Sequence, residues 1–357
     1  MPSYQFLVKR SDLAECLVEA VPVPEIAPGE TLLRVDRFAL TANNITYGVA
    51  GDALGYWQFF PAEGEWGRIP VWGIGTVVAS NAEGITAGER YYGYFPMAGH
   101  LVVTPGHARP HGFADQAAHR QELAPVYNQY ARMTEALGFQ PRHDNHQMIY
   151  RPLFTTSFVL DDYFDDNDCF GAGQIVLASA SSKTAFGTAF MLRDRPQKVI
   201  GLTSQTNRAF VERLGLYDQV MTYDEVTALD ASAPTAYVDM SGNRGVLAAV
   251  HHHFEENLVN SCSVGITHHE AREGADPKSL PGARPTMFFA PSQIQKRHKE
   301  WGPAGFQQQL GVAWQAFLDE VDDWVDIVES PTPDRLGEVY ATVLNGPSPD
   351  KAYVLKY

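Results

Sequence analysis

Hydrophobic and polar positions along the 357-residue chain change their period twice, and each change predicts a different kind of structure. Across 30–104 the pattern is short and alternating: 31–38 (TLLRVDRF), 69–80 (IPVWGIGTVVAS) and 100–104 (HLVVT) are β-branched or alternating runs, separated by Gly51, Gly55, Gly64, Gly84, Gly88 and Gly93. Successive side chains on a strand face opposite ways, so these runs predict a half-buried sheet with glycine turns, a small barrel or sandwich. Over 115–137 the spacing becomes helix-like for roughly six turns, which predicts a helical arm inserted at 105–150. That arm carries His107, His111, His119, His143 and His146. The acids Asp161, Asp162, Asp165, Asp166 and Asp168 read as a solvated run ahead of Gly171 and Gly173, where a domain boundary is expected.

From 174 onward continuous apolar runs alternate with helical ones. The strands are 174–180 (QIVLASA), 198–203 (KVIGLT), 219–223, 236–240, 258–267 and 286–291, and the first two helices are 182–194 and 207–215, the second closed by Gly215. Strands that are apolar throughout are buried on both faces, which predicts a parallel sheet wound with helices on each side. A helix at 306–321, a strand at 324–330, a helix near 333–344 and a strand at 352–357 follow; these closing strands are more polar, so the chain is expected to return to its first domain. The expected division is a β-rich domain at 1–165 with the His-rich insertion, a doubly wound α/β domain at 166–303, and a linking helix and return at 304–357.

Composition narrows the partners. With 27 Lys and Arg against 42 Asp and Glu, the net charge of −15 has the wrong sign for steering toward nucleic acid or an anionic membrane surface. Cys16, Cys169 and Cys262 are odd in number and far apart, so no disulfide framework or four-cysteine zinc lobe is expected, and a reducing cytoplasm fits. No run of about 18 apolar residues predicts a membrane span. His251-His252-His253 and His268-His269 are neighbours on single elements and point to different faces; with no Cys-x-x-Cys, no catalytic metal is expected.

Several longer runs carry a resemblance. IPVWGIGTVVASNAEGITAGERYYGY, with Gly88, Glu89, Arg90 and Gly93, KVIGLTSQTNRAFVERLGLYDQVMTYDE, with Leu214, Gly215, Val220 and Tyr223, and PDRLGEVYATVLNGPSPDKAYVLKY are similar to segments of the medium-chain dehydrogenase/reductase superfamily. Within it the chain resembles the zinc-independent quinone and enone reductases. ALTANNITYG, RPLFTTSF, ASASSKTAFG, VDMSGN and FFAPSQIQKR resemble a narrower branch, the domain of unknown function 2855 family, whose name carries no reaction. The resemblance implies a GroES-like β-rich catalytic domain, a Rossmann-type nucleotide-binding domain, and a homodimer formed through edge strands.

A dinucleotide-binding turn normally uses glycines to bring backbone N–H groups to a pyrophosphate. Here the turn is Ser179-Ala180-Ser181-Ser182-Lys183-Thr184, and the first glycine on the helix is Gly187. Small serines still allow close approach, with hydroxyls, the helix N-terminus and Lys183 as phosphate donors; the other reading is a capped helix with a solvated lysine. After the second strand comes Thr203-Ser204-Gln205-Thr206-Asn207-Arg208, with one Arg and no acid, which favours NADP(H) over NAD; Arg208 could equally be an ordinary helix residue. Tyr223, Ser241, Thr267 and Phe289 fall at or after the ends of later strands and are further candidate cofactor contacts. The resemblance implies that Asn44 and Tyr47 lie where nicotinamide and substrate meet, Tyr47 donating a hydrogen bond or proton and Asn44 orienting the ring or carbonyl. Tyr56, Trp57, Phe59, Phe60, Trp66 and Trp72 suit a small apolar or aromatic substrate, and would equally fill a barrel core. The function expected is NADPH-dependent, zinc-independent reduction of an α,β-unsaturated carbonyl or quinone-like molecule; a non-redox lyase or hydratase and a cofactor-less binding protein are the alternatives.

Overall fold

The structure is a computed structural model that describes residues 3–264 and 279–357. The chain forms two compact units, Met1–Ile149 with Asp326–Tyr357, and Tyr150–Val325.

The first unit is the β-rich one. Its larger sheet runs, in spatial order, Asp326–Pro331, Lys351–Lys356, Thr31–Leu40, Pro70–Ser80, Arg90–Pro96, Gln129–Arg132 and Gly112–Ala114, with His100–Val103 also paired to Thr31–Leu40. The closing strands thus return to the first unit, Leu355 opposite Phe38. A three-stranded sheet pairs Asp12–Val21 and Ser3–Lys9, which precede the alternating region read from sequence, with Trp66–Gly67 from within it. Phe6, Val35, Phe38, Val71, Phe95 and Tyr130 fill the core. Tyr130 lies flat across Arg90–Pro96 because Gly93 has no side chain; a Cβ there would come within 2.5 Å of the ring.

Residues 115–137 do not form the expected helix. They make short 3-10 turns at Ala118–Arg120, Pro125–Asn128 and Glu135–Leu137, with the strand Gln129–Arg132 between. Pro125 has no N–H for a helical bond, and the side chains of Asp115, Arg120 and Asn128 bond one another and the backbone instead. The segment is part of the sheet, not an arm.

The boundary also differs from the one expected at 165. Helix Asp144–Asp165 begins in the first unit, and the second unit starts at Tyr150 within it. The acidic run is solvated only in part: Asp165, Asp166 and Asp168 are exposed, whereas Asp161 accepts from Arg195 at 2.5 Å, Asp162 accepts from Arg297 at 2.8 Å and is buried, and Asp166 meets Arg297 at 3.0 Å. Partners so distant in sequence turn a charge run into an anchor.

The second unit holds a six-stranded parallel sheet in the order Gln219–Thr222, Lys198–Thr203, Gln174–Ala178, Thr235–Asp239, Leu258–Val264 and Thr286–Phe288. Gln174–Ala178 and Thr235–Asp239 are buried along their whole length, as continuous apolar strands require. Helix Lys183–Leu192 packs closely on helix Asp144–Asp165 at Gly187, where a Cβ would stand 2.8 Å from Ser157 Oγ. Among the described residues no helix is long and apolar enough to cross a membrane.

Candidate functional site

The predicted cofactor residues gather at the carboxyl ends of three adjacent strands of the second unit. Strand Gln174–Ala178 ends in Ser179, which takes a left-handed φ of +57°, a conformation normally left to glycine. The serine therefore holds the backbone shape of a glycine turn while carrying a Cβ. Ser182 caps helix Lys183–Leu192, its Oγ accepting from Ala185 N–H at 3.3 Å, so Lys183 and Thr184 open the first turn. The Thr184 carbonyl accepts from Ser157 Oγ at 2.9 Å and so anchors that turn.

The neighbouring loops close on this turn. Asn207 Nδ2 donates to Ser181 Oγ at 3.0 Å, Ser204 caps the 3-10 turn that begins beside it, and the Tyr223 hydroxyl faces Ser179. Burial raises the Tyr223 phenol above its ordinary range, so it acts as a neutral group. Thr203 is fully buried, and its hydroxyl has no hydrogen-bond partner among the described residues. A buried orphan hydroxyl at a strand's carboxyl end fits a site with room for a polar ligand, as does a glycine-like turn leading into a capped helix N-terminus.

Arg208 is placed differently from the expectation of a free cation. It donates to Glu212 Oε1 at 2.9 Å and to both oxygens of Glu225 at 3.1 and 3.0 Å. The acid missing after the second strand is thus supplied in space by the third. Glu225 also accepts from Thr222 N–H at 2.8 Å, and this Thr-x-x-Glu capping pattern is the sequence signal that could have found it. Ser241 sits after the next strand in a turn built on Asp239, whose Oδ1 accepts from Ser241 N–H, Ser241 Oγ and Gly242 N–H. Phe289 follows the edge strand Thr286–Phe288, three strands from Gln174–Ala178, and is 60% exposed; it does not join the loop cluster. Thr267 lies outside the described residues, as do His268 and His269.

The candidate chemical residues belong to the first unit. Tyr47 lies on helix Ala42–Val49, and its hydroxyl accepts from Asn43 Nδ2 at 2.8 Å. Burial first, and then the neighbouring Tyr56, push its phenol up to about 12, so at neutral pH it is a hydrogen-bond donor rather than a base. Asn44 is committed elsewhere: its Oδ1 accepts from Thr41 N–H at 2.8 Å and Thr41 Oγ at 3.0 Å, and its Nδ2 donates to the Pro70 carbonyl at 3.0 Å. The side chain fixes the start of the helix, which leaves one amide N–H for any further contact. Asn43, one position earlier, is the residue that touches Tyr47.

Of the aromatic run, Tyr56 packs on Tyr47, as do Tyr94 and Tyr127, which sequence reading missed, and Phe59 and Trp72 pack on Tyr94. Trp57 and Phe60 belong to the core, and Trp66 lies in a two-residue strand of the smaller sheet. Tyr127 is anchored by Arg120, a guanidinium only 1% exposed that donates to the Tyr127 carbonyl at 2.6 Å, to Asp115 at 2.9 Å, to Asn128 at 2.9 Å and to the Tyr130 hydroxyl at 3.0 Å. The same cation lies over Phe59 and Phe60, 5.4 and 5.2 Å from their centroids. No group of three or more His, Cys, Asp or Glu among the described residues is placed to hold a metal ion.

Solved structures show the same combination of a β-rich unit and a doubly wound parallel sheet in one chain. CurA from Vibrio vulnificus in complex with NADPH aligns at a TM-score of 0.63 with 14% identity, covering 99% of this chain and 98% of that one. An enoyl thioester reductase from Candida tropicalis, in a mutant form, aligns at 0.60 with 12% identity over 100% of both chains. The yhdH oxidoreductase from Salmonella enterica in complex with NADP aligns at 0.56 with 14% identity over 99% of both. The chain belongs to the DUF2855 family, described as protein of unknown function, whose model matches residues 38–348. No curated protein matches the sequence.

Proposed function

We propose that this chain is an NADPH-dependent, zinc-independent oxidoreductase that reduces an α,β-unsaturated carbonyl or quinone-like small molecule. The observation that carries the reading is the turn at Ser179: a non-glycine residue held in a glycine conformation, between a central parallel strand and a capped helix, with an orphan buried hydroxyl at Thr203 on the adjacent strand. That left-handed backbone costs roughly 1–2 kcal/mol and gives the turn the shape a glycine would supply beside a phosphate. The fold's likeness to proteins solved with NADPH and NADP supports the same assignment.

NADPH, when bound, supplies a hydride. The residues of this chain do the rest. Ser181, Ser182, Lys183 and the first turn of helix Lys183–Leu192 offer donors and positive charge to the phosphates. Arg208 offers a guanidinium to a 2′-phosphate once Glu225 releases it. Tyr47 polarises the substrate carbonyl, with its oxygen held by Asn43 and its proton directed to an acceptor.

The test is a fluorescence titration with NADPH and NADH on the parent chain and on Lys183→Ala, Arg208→Ala and Glu225→Gln. NADPH is expected to bind the parent more tightly than NADH, and the lysine and arginine variants to lose about ten-fold or more for NADPH. Glu225→Gln frees Arg208 from an exposed ion pair and should tighten NADPH about two- to five-fold. No binding of either nucleotide refutes the reading. Equal binding of both assigns Glu225 to the ribose 2′-hydroxyl instead.

A further inference from the structure

The first unit contains a cavity of about 310 Å³ that neither Tyr47 nor the cofactor turn lines. Val21, Phe60, Leu101 and Val102 are among its walls, and most of its surface is apolar. The volume is at the lower end for ligand pockets and suits a molecule of about one ring. Its polar groups differ in how their charge is met. Arg120 pairs at 2.9 Å with Asp115, the one carboxylate among the described residues that line the cavity. Arg68 has no such counterion. Its Nε donates to Gln5 Oε1 at 3.1 Å, its Nη2 donates to the same oxygen and its Nη1 to the Pro61 carbonyl, all neutral acceptors. One N–H remains on each terminal nitrogen. Glu19 and Glu63 attract the guanidinium from beyond ion-pair distance, and both are exposed to solvent; Glu19 accepts from Gln5 Nε2 at 2.6 Å instead. Burial outweighs them and pushes the Arg68 pKa below its ordinary value. His100 adds no charge at neutral pH, because burial and then Arg34 hold its pKa down, and its Nδ1 meets Ser3 Oγ at 2.9 Å. His119 is exposed and meets the Phe59 carbonyl through Nε2 at 3.2 Å. The cavity thus sets one half-buried cation, without a direct counterion, beside an apolar space.

We propose that this cavity binds a small monocarboxylate with an apolar body, its carboxylate pairing with Arg68 and its ring or branched chain lying against Val21, Phe60 and Leu101. A guanidinium left without a carboxylate in a low-dielectric space is costly, and a ligand that brings the missing anion offsets that cost. The planar fork of arginine matches the two oxygens of a carboxylate. The single uncompensated charge sets the charge of the ligand: a phosphate dianion would bury a second negative charge among apolar walls with nothing to meet it. The walls in turn favour a body large enough to cover them, which acetate lacks. The inference goes beyond the reductase reading and does not depend on it, since every residue lining the cavity belongs to the first unit and the cofactor turn to the second. Phe59 connects the cavity with the aromatic cluster: it lines the one, and its ring lies 5.3 Å from those of Tyr94 and Tyr127 in the other.

The test is calorimetric titration of the whole chain, without nucleotide, with sodium benzoate. Benzyl alcohol supplies the ring without the charge, and sodium acetate the charge without the ring. The parent is expected to bind benzoate at least about ten-fold more tightly than either. Arg68→Met keeps an unbranched apolar stem and removes the charge, so it should lose about ten-fold or more for benzoate and leave benzyl alcohol binding unchanged. Val21→Trp fills the cavity with Arg68 intact and should lose both ligands, which keeps the proposal open to refutation even where Arg68→Met fails to fold. Arg193→Met, in the second unit, should bind benzoate as the parent does. Saturating benzoate should also change the near-ultraviolet circular dichroism of the tyrosines through Phe59, and acetate should not. Absence of benzoate binding, equal affinity for benzoate and benzyl alcohol, inorganic phosphate binding as tightly as benzoate, or benzoate binding unchanged in Arg68→Met or in Val21→Trp overturns the site. A failed NADPH titration with benzoate binding as stated overturns the reductase reading and leaves the site standing.

Discussion

Neutralising Asp115 tests how the first unit holds its aromatic cluster. Asp115 and Arg120 pair at 2.9 Å with both side chains 1% exposed. Asp115 Oδ1 is also the acceptor for Thr104 N–H at 2.9 Å and Ala117 N–H at 3.0 Å. Asp115→Asn keeps the shape and those two backbone bonds, and turns an amide N–H₂ toward the guanidinium, donor against donor. At this separation the direct attraction is about 6 kcal/mol for an effective dielectric near 20, and desolvation of the two ions offsets much of it. Removing one charge leaves the other buried without its counterion, so the variant should lose about 3–5 kcal/mol. The assay is urea denaturation followed by circular dichroism, fitted with separate transitions for the two units if the curve demands it. The double variant Asp115→Asn with Arg120→Met removes both charges and should recover part of the loss. A loss below about 1 kcal/mol for Asp115→Asn refutes the reasoning: the pair would then behave as an exposed one, with Asn128, Tyr130 and the Tyr127 carbonyl sufficient to hold the guanidinium.

Two further outcomes follow from strained or buried groups. Ser179→Gly relieves a left-handed φ at the cost of a looser unfolded chain and should stay within about 1 kcal/mol of the parent, whereas Ser179→Val should lose about 2 kcal/mol or more and abolish NADPH binding; urea midpoints and the fluorescence titration check both, and a well-folded valine variant that binds NADPH refutes the role of the turn. His251 is fully buried between Ser261 Oγ at 2.9 Å and the Pro281 carbonyl at 2.8 Å, and burial lowers its pKa below the ordinary 6.5. Its contribution to stability is therefore complete above about pH 6.5 and is lost as pH falls through the lower native value, so urea midpoints should drop between about pH 7.5 and 5, and less so in His251→Gln; parallel acid limbs for the two proteins refute the assignment.

The doubly wound sheet was legible because its signal is local. Gln174–Ala178 and Lys198–Thr203 are continuous apolar runs, and Gly215 closes a helix in the left-handed conformation that its position requires. Residues 115–137 misled for the opposite reason: helix-like spacing there comes from residues that bond through side chains across the loop, and Pro125 interrupts the backbone pattern that the spacing implied. Asp161 and Asp162 looked as solvated as the acids after them because Arg195 and Arg297 are far away in sequence. His251 is buried for a reason of the same kind, since Ser261 and Pro281 reach it from other elements. At the cofactor loops the residue types were readable, and their mutual arrangement was not: the bond from Asn207 to Ser181 and the pairing of Arg208 with Glu225 each join separate strand ends. Asn44 shows the limit most clearly, because an Asn in a loop before a helix reads alike whether it orients a ligand or caps the helix.

The segment leading into Gln129–Arg132 is built of short turns rather than of regular strands or helices. It contains one fully buried ion pair, and the guanidinium of that pair spends a hydrogen bond on the carbonyl of Tyr127, the one ring of the cluster carried by a turn rather than by a strand, a helix or the 56–60 run. Burying a charge to hold a surface loop is a poor route to stability, since apolar side chains of the same volume do at least as well. It is a good route to fixing a side chain in one orientation, because Asp115, Asn128 and Tyr130 constrain the guanidinium from several directions while Phe59 and Phe60 pack on its face. The Arg120 pair is therefore better understood as the device that sets Tyr127 against Tyr94 and Tyr56 than as a stabiliser of the sheet, and the near-ultraviolet circular dichroism of the tyrosine cluster should change in Asp115→Asn even under conditions where the fold survives.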